Sequence, residues 1–176
     1  MTDKSFLFVA FWIEDWNKEL SPWEAPAVFG KENFGSGANK TLSYITKSII
    51  PFIKNEYSGI IDFYLGGYSL AGLFSLWSGY QTDSFKGVAG VSPSVWFPGW
   101  DSFIKSNEMK AARTFLSLGD REEKTRNKVM ATVGDRIKMQ YDNLYNDCVL
   151  EWNSGNHFAD PDKRTAKGFA WLINGE

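Results

Sequence analysis

Apolar residues in this chain gather into five short runs of strand length, and most of the stretches between them carry apolar positions at helical spacing. The first run, Ser5 to Phe11 (SFLFVAF), is continuous and fits a strand buried on both faces of a parallel sheet. Trp12 to Gly37 has no period. It holds Trp12, Trp16, Trp23, Pro22, Pro26 and several glycines, and reads as an ordered, aromatic-rich loop. From Ala38 to Tyr57, residues Leu42, Ile45, Ile49, Ile50 and Ile53 lie near helical spacing. Pro51 is expected to kink that helix or begin a new turn, because it lacks the N–H that would bond back to the preceding turn. The second run, Ile60 to Leu65, ends at Gly66-Gly67, and a helix is predicted from about Leu70 to Tyr80. Further strands are predicted at Val88 to Val91, Thr114 to Leu118 and Asp147 to Trp152. Asp101 to Lys110 is a weak helix candidate. Glu123 to Tyr145 is helical in part, with Val129, Val133, Ile137 and Tyr141 recurring along it. Asp160 to Ile173 is the last helix, with Ala166, Phe169, Ala170 and Ile173 on one face.

Alternation of strand and helix implies right-handed crossovers and an α/β fold, a mostly parallel sheet with helices on both faces. A length of 176 residues suits one domain over 1–176. Ligands of such sheets bind beyond the carboxyl ends of the strands, so the chemistry is to be sought there. Hydrophobic residues at 43% and charged residues at 23% give a globular balance. Aromatics at 16% allow a thick core with rings left for a pocket or an interface. The net charge is -2 and no basic stripe appears, so no nucleic-acid partner is expected. The N-terminal apolar run is too short for a signal segment or a bilayer span, which points to a cytoplasmic protein without membrane attachment. The lone Cys148 forms no disulfide framework and reads as a small core residue in a strand. One histidine, one cysteine and no clustered carboxylates leave no expected metal site or cofactor.

Gly66-Gly67-Tyr68-Ser69-Leu70-Ala71-Gly72 follows a predicted strand and opens a predicted helix, the context required of a nucleophile elbow. A sharp strand-to-helix turn pushes a serine hydroxyl clear of the backbone, and small residues two before and two after relieve the crowding. Gly67 and Ala71 hold those places, so the pattern is G-x-S-x-A. The helix N-terminus favours negative charge developing there. The alternative is a Gly-rich turn with an incidental serine. A serine hydroxyl needs a base, and His157 is the only imidazole. It lies in Asn153-Ser154-Gly155-Asn156-His157-Phe158, a loop at the carboxyl end of the fifth predicted strand, the same sheet edge as Ser69. The order serine first, histidine last fits an α/β-hydrolase. The third member should be a carboxylate, which fixes the histidine tautomer. Asp120, Glu122 and Glu123 all follow the fourth predicted strand, and spacing does not choose among them; acids there also suit a helix N-terminus.

With these residues in hand, the chain resembles the esterase family of α/β-hydrolases that includes esterase D and the siderophore (enterobactin and salmochelin) esterases. The likeness runs over nearly the whole chain. It is carried by Asp15-Trp16 through Ser21-Pro22-Trp23, by Gly67-Tyr68-Ser69-Leu70-Ala71-Gly72-Leu73-Phe74, by Ser92-Pro93-Ser94-Val95-Trp96-Phe97-Pro98-Gly99, by Ser117-Leu118-Gly119-Asp120-Arg121-Glu122 with Lys124-Thr125-Arg126-Asn127, and by Gly155-Asn156-His157. The resemblance implies Ser69 as nucleophile and His157 as base. It favours Glu122 as the acid and gives the backbone N–H of Leu70 half of the oxyanion hole. It also implies that Trp96 and Phe97 line the acyl or leaving-group pocket, with core packing as the plain alternative for these rings. Trp12 and Tyr68 complete the expected substrate-binding set, with a small-molecule ester as the partner.

Members of that family usually carry another strand before the Ser5 to Phe11 run, and the turn after it usually gives the second oxyanion-hole N–H. This chain starts too late to contain it. Either Trp12 and its neighbours replace that donor, or the hole is impaired. Losing one donor typically costs about 10²–10³ in rate, so weak hydrolysis of activated esters is expected. A sheet edge left open there invites pairing, and a homodimer or higher association is expected. Two other functions stay open: an acyltransferase on the same serine, and a non-catalytic domain that keeps the fold and uses an aromatic cleft for binding or assembly.

Overall fold

The computed structural model describes residues 4–175. In chain order its helices and strands are α1 (Trp16–Glu19), α2 (Ala38–Tyr44), a wide π turn (Ile45–Ile49), α3 (Ile50–Glu56), β1 (Tyr64–Tyr68), α4 (Leu70–Gln81), β2 (Gly87–Val91), α5 (Trp100–Ser106), β3 (Arg113–Gly119), a 3₁₀ turn (Met130–Thr132), α6 (Val133–Asp142), β4 (Asp147–Asn153) and α7 (Pro161–Asn174). The four strands form one parallel sheet in the order β1-β2-β3-β4. Tyr64 pairs with Gly87, Gly87 with Arg113, and Arg113 with Asp147. The strands therefore begin flush, and their carboxyl ends converge on one rim. The loops that leave that rim hold Ser69, Ser92, Glu122 and His157.

Successive strand side chains point to opposite faces, and that alternation divides the core. Leu65, Val88, Leu116 and Leu118 pack with Leu73, Leu76 and Trp77 of α4 and Ile137 of α6. Ala89, Val91 and Phe115 face the other way, beneath Leu172 of α7. Helices thus cover both faces, as an α/β chain of alternating elements requires. All seven residues of β3 are buried, Arg113, Thr114 and Ser117 among them, as befits a central strand of a sheet covered on both faces. Gly168 lets α7 lie close to the sheet, since a Cβ there would stand 3.0 Å from the Phe115 ring and 3.3 Å from Ala89 Cβ.

Pro51 falls in the first turn of α3, directly after the π turn. A ring without an N–H cannot bond the turn before it, and a widened turn absorbs that mismatch without ending the helix.

Two sequence expectations need correction. Ser5 to Phe11 is not a strand: among the described residues the sheet has four strands, and 5–11 belong to none of them. An apolar run is not enough to make a strand, which also needs a hydrogen-bonded neighbour, and residues 5–11 are all exposed. Here the run lies across a cavity of about 860 Å³ walled by residues of α3, β1 and α7. Phe6 and Phe8 stay 60% and 67% exposed. The run is pinned at the C-terminal end of α7, where the Lys4 ammonium donates to the carbonyls of Ile173 (2.8 Å) and Asn174 (3.1 Å). Phe8 meets Phe169 edge-on at 6.1 Å. The second correction concerns the bounds of a strand. β1 begins at Tyr64 rather than Ile60 and continues through Gly66-Gly67, which read as a turn from sequence. Both pair with β2, Gly66 with Ala89 and Gly67 with Gly90, and close neighbours make them glycine: a Cβ on Gly66 would meet the Phe169 ring at 2.7 Å, and one on Gly67 would meet the Ala71 backbone at 2.6 Å. Among the described residues no helix is long and apolar enough to cross a membrane.

Candidate active site

β1 runs straight into Ser69, whose backbone sits at φ 58° and ψ −121°, and α4 starts at the next residue. A non-glycine residue with positive φ is strained and persists only where its surroundings hold it. Here the Ser69 N–H donates to the Val91 carbonyl at 3.1 Å, and the Ser69 carbonyl accepts from Ser94 N–H at 3.1 Å and Leu73 N–H at 3.0 Å. The turn is therefore fixed by the neighbouring strand end, the following loop and its own helix. Leu70 is the first residue of α4, so its N–H has no carbonyl one turn earlier within the helix and is available to an anion.

His157 lies in the loop after β4, its side chain 26% exposed. Its Nε2 is 3.1 Å from Ser69 Oγ and its Nδ1 is 2.7 Å from Glu122 Oε2. Glu122 stands in the turn after β3, and its other oxygen, Oε1, accepts from the Ser92 hydroxyl (2.7 Å), Gly119 N–H (2.7 Å) and Arg164 Nη1 (3.0 Å). Burial alone would push this carboxyl up. The hydrogen bonds from His157, Ser92 and Gly119 outweigh burial and hold it below its ordinary value. Glu122 is thus ionised at neutral pH and can only accept. The proton between it and the ring must sit on Nδ1, which leaves the Nε2 lone pair facing the Ser69 hydroxyl.

The loop carrying His157 is tied at four successive residues. Arg164 Nη2 donates to the carbonyls of Ser154 (3.0 Å) and Asn156 (3.2 Å), Asp120 Oδ1 accepts from Gly155 N–H (2.8 Å), and the Tyr68 hydroxyl donates to the His157 carbonyl (2.6 Å). Of the three candidate acids, then, Glu122 meets the ring and Asp120 braces the loop behind it. Glu123 lies beside Gly134, at the start of α6.

The aromatic candidates are placed differently. Tyr68 is beside the imidazole, ring centroids 5.2 Å apart, and spends its hydroxyl on the His157 carbonyl. Phe97 is fully buried against Phe34 (4.9 Å) and Trp23 (5.7 Å), within the aromatic core. Trp96 is buried between Phe29 and Phe34. Trp12 is 87% exposed. Arg164, Ser92 and Ser94 belong to the site and were not read from the sequence. Ser92 and Ser94 lie within a motif that carries the family likeness, the one signal that could have found them. Arg164 gave none, flanked as it is by Lys163 and Lys167 on a helix whose cations read as solvent-facing. Cys148 is half-buried in β4, and burial raises its thiol. Among the described residues no cluster of three or more His, Cys, Asp or Glu is placed to hold a metal.

No protein-family model matches the chain, and no curated protein matches it in sequence. Solved structures do match in fold. The siderophore hydrolase EstA from Aspergillus nidulans superposes with a TM-score of 0.67 at 20% identity over 90% of this chain. An IroE-like serine hydrolase from Shewanella oneidensis gives 0.74 at 16% identity over 90% of the chain. The enterobactin esterase FES from Shigella flexneri gives 0.64 at 18% over 77%. The chain spans 66%, 56% and 38% of those three chains respectively. At such identities the likeness is one of architecture: this chain has the α/β-hydrolase fold of the siderophore-esterase-like structures.

Proposed function

We propose that this protein is a serine hydrolase that cleaves a small-molecule carboxylic ester through an acyl-enzyme on Ser69. One observation carries the reading: a hydrogen-bonded chain from Ser69 Oγ through both nitrogens of His157 to Glu122, built on a positive-φ turn between strand and helix. The fold it shares with named esterases and hydrolases supports the same chemistry.

In the proposed reaction the Ser69 oxygen attacks the ester carbonyl carbon while its proton passes to His157 Nε2. The carbonyl π electrons move onto oxygen, and the resulting oxyanion takes the Leu70 N–H at the positive end of α4. The imidazolium, stabilised by ionised Glu122, then gives the proton to the departing alkoxide as the carbon–oxygen bond breaks. Water repeats the sequence on the acyl-serine, giving the carboxylic acid and restoring the Ser69 hydroxyl. Tyr68 and Arg164 hold the histidine loop while the charge changes.

Turnover of p-nitrophenyl acetate tests the proposal. Release of p-nitrophenol by the native chain and its loss in Ser69→Ala are expected. A Ser69→Ala protein that releases p-nitrophenol as fast as the native one overturns it.

A further inference from the structure

We infer that Arg164 is the positioning residue of this site, one guanidinium that sets both the acid and the loop of the base. The inference rests on the serine-hydrolase reading and extends it to a residue on a different helix. Arg164 lies in the first turn of α7, its backbone N–H bonded to the Asp160 carbonyl at 3.0 Å, and its side chain is 3% exposed. The fork divides its work. Nη1 meets Glu122 Oε1 at 3.0 Å, with the Ser92 hydroxyl at 3.3 Å and the Tyr68 hydroxyl at 3.4 Å. Nη2 donates to the carbonyls of Ser154 and Asn156, the second of which immediately precedes His157. Glu122 and His157 come from different strand ends, and their 2.7 Å contact depends on two separate loops keeping their distance. Arg164 bonds to both loops with two nitrogens of one rigid plane, so the acid and the base cannot drift independently.

The charge matters as well as the shape. A buried carboxylate without a partner is costly, and a buried arginine without its carboxylate equally so. With Arg164 on Oε1, Glu122 can be ionised while Oε2 is left for the ring. Gly119 makes room for the arrangement: a Cβ there would stand 2.9 Å from Glu122 Oε1 and 3.0 Å from Arg164 Nη1. Lysine is not an equivalent, because its single nitrogen cannot repeat the planar two-sided fork.

The test compares native protein, Arg164→Ala and Arg164→Lys. His157 is the only histidine, so a proton held between its Nδ1 and Glu122 gives a single downfield imidazole resonance that needs no assignment. Arg164→Ala is expected to broaden or remove that resonance and to lower kcat on p-nitrophenyl acetate by about 10–100-fold, with KM unchanged, since small misplacements of catalytic groups act on the chemical step. Added guanidinium should restore both in part. Arg164→Lys should fall between native and alanine. If Arg164→Ala fails to fold, Arg164→Lys decides. A folded variant with native kcat and an unaltered resonance overturns the inference. Should the native chain prove inactive on esters, the hydrolase reading fails alone. The resonance and its guanidinium rescue still report whether Arg164 sets the Glu122–His157 contact.

Discussion

Replacing Glu122 by glutamine separates the charge of the acid from its shape, and the surrounding donors determine the outcome. The carboxylate accepts four hydrogen bonds, three of them on Oε1 and one, from His157, on Oε2. An amide keeps only one accepting oxygen. If that oxygen faces Ser92, Gly119 and Arg164, the amide N–H₂ points at His157 Nδ1 and forces the ring proton onto Nε2, where it faces Ser69. The base is then blocked, and the analogous loss of tautomer control in serine proteases costs about 10⁴ in rate, or about 5.5 kcal/mol of barrier. If instead the oxygen faces His157, the N–H₂ confronts two obligate donors, Gly119 N–H and Arg164 Nη1, and only the Ser92 hydroxyl can turn to accept from it. Either way Arg164 loses its counter-charge in a place where both side chains are 3% exposed, and breaking a buried pair costs about 3–5 kcal/mol of stability. The assay is kcat/KM on p-nitrophenyl acetate together with thermal unfolding of the same preparation. A drop of about 10³–10⁴ with a lowered Tm is expected. Glu122→Gln retaining activity within about tenfold of native, while Asp120→Asn or Glu123→Gln abolishes it, would refute the assignment of the acid.

Two other consequences can be measured. The Glu122 carboxyl titrates below its ordinary value of 4.5 in the folded chain, so the folded state binds fewer protons than the unfolded one as pH falls. Its stabilisation is complete above that ordinary value and disappears as pH drops through the folded one. The stability gap between native and Glu122→Gln, followed by denaturant unfolding, should therefore be wide at neutral pH and narrow in acid; a gap that widens in acid contradicts the shift. Gly67→Ala would place a methyl 2.6 Å from the Ala71 backbone, so the elbow must open, with a loss of about 1–3 kcal/mol and slower acylation of Ser69; unchanged Tm and rate would show that the turn is looser than its geometry.

What the sequence revealed depended on whether a local pattern carried the constraint. Ser69 and His157 each follow a strand, so their placement at one rim was legible, and they stand 3.1 Å apart across 88 residues of chain. The strand–helix alternation likewise gave four of the five expected strands, because each keeps a short apolar stretch between turn-forming or polar residues, such as Val88 to Val91 or Cys148 to Leu150. Ser5 to Phe11 misled because an apolar composition says nothing of a ladder partner or of burial, and Phe6, Phe8 and Val9 stay exposed. Asp120, Glu122 and Glu123 could not be ranked by spacing, since a turn can aim any of the three at a ring two loops away; the family likeness, not the pattern, favoured Glu122. Arg164 was invisible. Its neighbours Lys163 and Lys167 have side chains 76% and 60% exposed, and only the tertiary docking of α7 separates the buried cation from the solvated ones.

The most direct probe is covalent. An activated serine hydroxyl attacks a fluorophosphonate and displaces fluoride, leaving a phosphonylated side chain that mass spectrometry locates by peptide. A single adduct on Ser69 is expected, absent in Ser69→Ala and formed far more slowly in His157→Ala. An unmodified Ser69 after prolonged exposure, or equal labelling with and without the imidazole, would contradict a nucleophile activated by His157.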